Sequence, residues 1–333
     1  MPASPIHLAG SSRAQAWTAY WQSGVLHSLP GSFEGNYAGP IGLHWRSFLA
    51  GLQGPCHVLD LATGNGPLPA CLLEVNAQDN VTCMGVDLAS VAPDWWLTAS
   101  AQSRERVQFK GGVDLGHLPF AAGQFDAVVS QFGFEYGPRP DSAQELVRVL
   151  RVHGQMQLVC HHRDSFLLSQ ARHERAHLHW LLSADGWLQA AEAMLEPMSL
   201  AGHPQGQMML ARDSRYQSIR TYFDQWAQAA QERVQTLPCA DVLGEVGQAL
   251  AHCFQKAMSD GKEAGLVHLS ELRCQLELAD QRLLHMQAAA LEPNEVSAML
   301  DWFAQHRLQL EVGLLEDENG LWAWTLSGKK MGA

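Results

Sequence analysis

One run constrains this chain more than any other: HVLDLATGNGPLPACLLE, His57 to Glu74. Val58, Leu59 and Leu61 read as a buried strand. Ala62, Thr63, Gly64, Asn65 and Gly66 make a turn of small residues, and Leu68, Cys71 and Leu72 then recur at helical spacing. A loop so poor in side chains lets backbone come close to a ligand, and its amides, with the helix N-terminus behind them, favour an anionic group. A second strand, Val81 to Val86, ends at Asp87, 21 residues after Gly66. A carboxylate there is placed to accept hydrogen bonds from a ribose diol. The run therefore predicts a nucleoside-bearing cofactor. Pro69 stands where a nicotinamide fingerprint wants its third glycine, which counts against a dehydrogenase.

Downstream come GGVDLGHLPF (Gly111 to Phe120), FDAVVSQFGFEY (Phe125 to Tyr136) and ELVRVLRVHGQMQLVCHH (Glu145 to His162). Taken in this order, with the glycine loop and Asp87, these segments resemble the small-molecule branch of the class I S-adenosylmethionine-dependent methyltransferases. The resemblance covers Val58 to about His162 and, more faintly, the last 40 residues. It implies S-adenosylmethionine as cofactor and S-adenosylhomocysteine as product. Carried over by position, Asp60, Ala62, Gly64 and Gly66 surround the methionyl part and Asp87 the ribose hydroxyls. Asp114 with the amide of Leu115 holds the adenine, and Leu88 packs on its ring. Ala62 replaces the first glycine that the family usually carries.

The resemblance also makes the loop after the fourth strand face the donated methyl. Gln131 and Phe132 would touch the cofactor; Phe134, Glu135 and Tyr136 would face the acceptor. Methyl transfer from a sulfonium is an in-line displacement, so a base is needed only where the acceptor must lose a proton. Glu135, Tyr136 and His161 are the candidates, with His162 beside them; an alternative for either histidine is a hydrogen-bonded residue at a strand end. The loop lacks the NPPY-type run of enzymes that methylate exocyclic or side-chain amides, which points away from those acceptors.

From Val58 onward apolar β runs alternate with helices, the signature of a parallel sheet covered on both faces. Strands are expected at 57–61, 81–86, 106–110, 125–130 and 154–160, and helices at 67–76, 92–101 and 141–151, the last stopped at Gly154. Then the alternation ends. From 165 to 291 only helical patterns appear, with Asp164, Asp213 and Asp241 as N-caps. PNEVSAMLDWFAQHR reads as one more helix, and two β runs joined by Glu-Asn-Gly make a hairpin. The expected fold is α/β: a doubly wound, mostly parallel seven-stranded sheet with an all-helical insertion between the fifth strand and the last core helix. The expected domains are an aromatic helical cover over 1–56, a methyltransferase core over 57–164 and 292–330, and a helical cap over 165–291. The cap's Met- and Trp-rich stripes would suit a flat or greasy acceptor. In the cover, Trp21, Phe33 and Tyr37 either close one edge of the core or approach the sulfonium, since aromatic faces attract cations.

Composition narrows the function classes. Against 22 basic residues stand 34 acidic ones, a net charge of -12, with no basic stripe for nucleic acid. The N-terminus lacks a basic segment followed by an apolar core, and no stretch reaches the about 18 apolar residues of a membrane span, so a cytoplasmic location is expected. Seven scattered cysteines without a CxxC pair read as buried thiols, not disulfides or zinc ligands. His173, His177 and His179 have metal-ligand spacing but no carboxylate or cysteine partner, and read as surface histidines; no metal is expected. The resulting reading is methyl transfer to a small organic acceptor. Its rivals are a peptide or protein methyltransferase and a non-catalytic cofactor-binding interaction protein. The oligomeric state is not legible.

Overall fold

The computed structural model describes residues 10–29, 33–76 and 80–332. The first nine residues and positions 30–32 of the glycine-rich loop lie outside the described residues. In chain order the elements are α1 (Gly10–Gln22), α2 (Gly39–Ala50), β1 (Cys56–Leu61), α3 (Pro67–Val75), β2 (Val81–Val86), α4 (Asp94–Leu97), α5 (Ala101–Arg106), β3 (Val107–Lys110), β4 (Phe125–Gln131), a 3-10 turn (Phe134–Tyr136), α6 (Asp141–Val149) and β5 (Leu150–His161). There follow α7 (Phe166–Leu181), α8 (Trp187–Ala201), α9 (Pro204–Arg212), α10 (Ser214–Thr236), α11 (Asp241–Asp260), α12 (Lys262–Ala289), α13 (Pro293–Gln305), β6 (Leu308–Asp317) and β7 (Gly320–Lys330).

The seven strands form one sheet in the order β3-β2-β1-β4-β5-β7-β6. The first five run parallel, while β7 pairs antiparallel with both β5 and β6. This is the mostly parallel, seven-stranded α/β sheet expected from the sequence. Because β1 lies between β2 and β4, strand order reverses there, and a crevice opens outside the carboxyl ends of β1 and β4. Alternate side chains of each strand point to opposite faces. Val58, Ala127 and Val129 join a core with Trp45, Ile41 and Leu72 on one face; Leu59, Val128 and Leu158 join a second with Leu146, Phe134 and Phe303. Phe303 is fully buried, its ring 6.4 Å from that of Phe134. Phe303→Ala is expected to destabilise the protein by about 3–5 kcal/mol, measured by urea unfolding.

Local boundaries differ from the sequence reading in two places. The helix expected over 92–101 is two short ones, α4 and α5, with Ser100 capping the second through the amide of Ser103. The helix expected to stop at Gly154 ends at Val149, and β5 begins at Leu150. Leu150 is fully buried and pairs with Phe125, after which the register shifts so that Ala127 meets Gln155. His153, with φ 66, sits in this irregular stretch, so Gly154 serves a strand bulge and not a helix end.

The chain divides into two compact units: one runs up to Leu168 and resumes at His285, the other is Ser169–Leu284. The second is entirely helical. Within it α8 packs on α9, α10 and α11. Asp213 caps α10 through the amide of Arg215, as expected; Asp241 instead lies in the first turn of α11, after the N-cap Ala240. His177 is buried, with Nε2 3.0 Å from the carbonyl of Pro238, which corrects its reading as a surface residue. His173 and His179 are exposed, the latter 3.1 Å from Asp280. Among the described residues no cluster of three or more His, Cys, Asp or Glu could hold a metal, and no helix is long and apolar enough to cross a membrane. All seven cysteines are free; Cys239 is half-buried, Cys274 exposed and the rest buried.

Candidate functional site

The crevice at the strand ends is a cavity with about 810 Å³ of empty space, its open mouth included. Asp60, Ala62, Asp87, Leu88, Asp114, Leu115, Gln131, Phe132, Tyr136, Trp21 and Tyr37 all line it. The backbone explains the convergence. Ala62 (φ 54) and Phe132 (φ 53) both adopt left-handed conformations just past β1 and β4, sharp turns of the kind found beside ligands. Gly133 lets the two turns touch, since a Cβ there would lie 2.4 Å from that of Ala62. Ser130 Oγ ties them by donating to the Leu61 carbonyl (2.8 Å) and accepting from the Phe134 amide (3.0 Å).

Two carboxylates from adjacent strands sit on one side. Asp87 accepts the amide of Gly64 on Oδ2 and that of Ala89 on Oδ1, both at 2.8 Å. A carboxylate has about four lone-pair sites, so each oxygen keeps capacity for a further donor. Burial pushes Asp87 up to about 6, against the pull of the Ala89 and Gly64 amides, of Arg13 and of the Leu88 amide. Asp60 accepts the Thr63 hydroxyl at 2.6 Å; burial, opposed by that bond and reinforced by the charge of Asp87, pushes it up to about 8. Tyr37, buried in the lining of the same cavity, is raised by burial first and by the charge of Asp60 second. Asp114 is exposed at the cavity edge and accepts the amide of Gly116 at 2.8 Å.

On the far wall the Trp45 indole donates to Gln131 Oε1, which fixes the amide and leaves the buried Nε2 without a partner. A buried donor unpaired in a cavity wall is a ready contact for a ligand acceptor atom. Gly64 and Gly66 do not line the cavity themselves. Both have left-handed backbone, and an added Cβ would lie 2.5 Å from the Trp21 ring and the Phe109 ring respectively. The close approach that Gly64 permits is thus used here by Trp21.

Some expected acceptor residues face elsewhere. Phe134 turns into the core against Phe303. Glu135 and His161 lie behind the cavity wall, both 2% exposed. His162 is stacked on Trp324 (centroids 4.4 Å) with Nδ1 accepting the Asp164 amide, a strand-end role. Phe33 stacks on Trp322 and is not a lining residue.

Helix α1 supplies residues that the sequence reading left out. Arg13 and Trp17, with Trp21, are spaced four apart on one helical face, and all three line the cavity. That spacing is visible in the sequence, but only the fold gives the face a partner. Arg13 donates to the Tyr136 carbonyl at 2.6 Å, and Trp17 stacks on Trp21 while meeting Tyr136 edge-on. Asn65 Nδ2 holds the carbonyls of Trp21 and Val25, and Thr18 Oγ1 accepts the Ser90 amide. These contacts tie α1 to the loops that follow β1, β2 and β4.

Residues 58–154, which hold most of this cavity, match a family model described as a methyltransferase domain. None of the curated proteins matches the chain. Among solved structures it is similar to the YcgJ protein from Bacillus subtilis (15% identity, 88% of this chain and 99% of that one, TM-score 0.34). It is similar too to the geranyl diphosphate C-methyltransferase from Streptomyces coelicolor (16% identity, 47% and 67%, TM-score 0.33). A third is a chain from the Haloferax volcanii complex of the Trm112 methyltransferase activator (18% identity, 48% and 66%, TM-score 0.35). The chain spans 66%, 60% and 48% of the length of the first solved structures it matches. The segment 58–154 is thus similar to a methyltransferase domain, and it supplies β1 to β4 and the start of β5 of the seven-stranded sheet.

Proposed function

We propose that the protein transfers a methyl group from S-adenosylmethionine to a small organic acceptor. The observation that carries this reading is that Asp87 and Asp114 line one cavity together with Gln131, whose buried Nε2 is unpaired. The residues fit the donor: Asp87 has spare acceptor capacity for two ribose hydroxyls, and Asp114 with the Leu115 amide meets the adenine edge. Asp60 with the loop at Ala62, Gly64 and Gly66 takes the methionyl part, with Trp21 shifting from its place over Gly64. The bound donor supplies an activated methyl. The chain's work is to hold the acceptor in line with it and to exclude water. Trp21, Tyr37, Phe132 and Tyr136 offer aromatic surface to a cationic sulfonium and a flat acceptor.

Isothermal titration of the purified protein tests the donor half. One equivalent of S-adenosylmethionine or S-adenosylhomocysteine is expected to bind and NAD is not; the reverse preference would overturn the reading. The acceptor half is tested with methyl-labelled donor and a fractionated cell lysate. Label is expected in the low-molecular-weight filtrate, and label confined to retained polypeptides would favour a peptide acceptor instead.

A further inference from the structure

We propose that Tyr136, His161 and Glu135 form a proton relay that ionises an aromatic hydroxyl on the acceptor, an inference that rests on the methyl-transfer reading above. Tyr136 and Glu135 lie in the 3-10 turn after β4, and His161 is the last residue of β5. Tyr136 lines the cavity, and its Oη is 3.4 Å from His161 Nε2. The imidazole is sealed behind the ring of Phe132, centroids 4.1 Å apart. Its Nδ1 has no hydrogen-bond partner and lies 3.7 Å from Glu135 Oε1. That oxygen is fixed by the backbone amide of His161 at 2.8 Å, while Oε2 is buried without a hydrogen-bond partner.

A carboxyl and an imidazole enclosed together and incompletely paired are costly to keep for packing alone, since apolar groups of similar size would fill the space without that penalty. Their alignment behind a cavity-lining hydroxyl gives them a use. The acceptor hydroxyl passes its proton to Tyr136 Oη, Tyr136 passes its own to His161 Nε2, and His161 Nδ1 passes its proton to Glu135 Oε1. The acceptor oxygen's electron pair forms the new bond to the methyl carbon, and the carbon–sulfur pair stays on sulfur. Once the product has left, the proton retraces the relay from Glu135 Oε1 to His161 Nδ1, from His161 Nε2 to Tyr136 Oη, and from Tyr136 to water in the open cavity, which restores the starting tautomer. The imidazole gives up one proton as it takes another, so it need never hold a charge.

The acceptor class follows from what such a relay is for. An amine attacks with its own lone pair and a carboxylate arrives ionised, whereas a neutral hydroxyl must shed a proton. The rings of Trp17, Trp21, Phe132 and Tyr136 suit a flat aromatic bearer of that hydroxyl. The charged groups facing the relay are Arg139, which is held by Glu295 at 3.0 Å, and Arg13 on the Tyr136 carbonyl, with His285 of α12 near Arg13. Burial pushes Glu135 up to about 7 and His161 down to about 3. At neutral pH the imidazole is uncharged and the carboxyl is poised to accept; as pH falls below about 7, Glu135 fills and the relay closes.

The test uses the full chain saturated with S-adenosylhomocysteine and 4-nitrophenol, whose absorbance reports its own ionisation. Bound nitrophenol is expected to ionise at least one pH unit lower than in water, a tenfold change. His161→Asn and Glu135→Gln should return it to the free value with S-adenosylhomocysteine affinity within twofold. Failure of the dye to bind, an unshifted ionisation, or the same shift in both variants overturns the relay. Failure of S-adenosylhomocysteine to bind overturns the donor reading, and the relay with it. Should a variant not fold, ¹⁵N NMR of the unaltered protein decides. A neutral His161 with its proton on Nδ1, whose Nε2 resonance moves as Glu135 titrates near pH 7, supports the relay. A charged ring, or a proton on Nε2, overturns it.

Discussion

Replacing Asp87 with alanine is expected to weaken S-adenosylmethionine binding about a hundredfold. A hydrogen bond to a charged group is worth about 1.5–3 kcal/mol, and the carboxylate would accept two from the ribose. A loss of about 3 kcal/mol corresponds to two decades in affinity. The same change strips the amides of Gly64 and Ala89 of their acceptor, so the unliganded protein also loses stability. Asp87→Asn separates the two effects, because one oxygen still accepts an amide while the second acceptor and the charge are gone. It should retain most of the fold and still bind at least tenfold more weakly. Since Asp87 is raised to about 6, donor affinity in the native protein should fall as pH drops through that value. Titration calorimetry between pH 5 and 8 measures all three, and affinity of Asp87→Ala within threefold of the native value would sink the ribose assignment.

The second large effect concerns Asp60, where function and stability pull apart. Folding raises its carboxyl from 3.8 to about 8 by burial. Between those values the folded chain holds a proton that the unfolded chain has released, so the cost of Asp60 is absent below pH 4. It grows as pH rises to about 8 and is constant above. Each unit of displacement is worth about 1.4 kcal/mol, so Asp60→Asn should stabilise the unliganded protein by several kcal/mol at pH 8–9 and hardly at all at pH 4. Asn still accepts the Thr63 hydroxyl, so the turn keeps its tie. The same variant should bind the cationic donor at least tenfold more weakly, a trade often found where a site keeps a strained group for its ligand. Asp87 and Glu135 are raised in the same direction, to about 6 and about 7, so the native protein itself should lose stability from pH 4 to 8. Donor binding should restore it by mass action. Thermal scans across pH with and without S-adenosylhomocysteine check both; an Asp60→Asn melting curve parallel to the native one at every pH would contradict the burial argument.

Much of the core was legible because its signals are local. The run from Val58 to Leu72 carries a strand, a glycine turn and a helix start within about fifteen residues, and α3 indeed begins at Pro67 behind a left-handed Gly66. Asp87 at the end of β2 is marked by its distance from that loop and Asp114 beyond β3 by the resemblance of its segment to the methyltransferases, and they line one cavity. The end of α6 departs from its local signal. RVLRVHG has the look of a helix stop, but Leu150 is drawn into the sheet by pairing with Phe125, a partner 25 residues away.

What the sequence determined by itself was the order of strand, glycine loop and helix, and the spacing of the acidic residues that follow it; both are carried by neighbours along the chain. Only the tertiary structure decided that Arg13 and Trp17 join the site, that Phe134 turns into the core, and that Glu135 and His161 are sealed behind Tyr136. Those outcomes depend on contacts between residues 25 to 169 positions apart, such as Arg13 with Tyr136 and Phe134 with Phe303. The physical reason is that periodicity and turn chemistry act within a few residues, whereas burial, and the proton affinities it displaces, belong to the packed molecule as a whole.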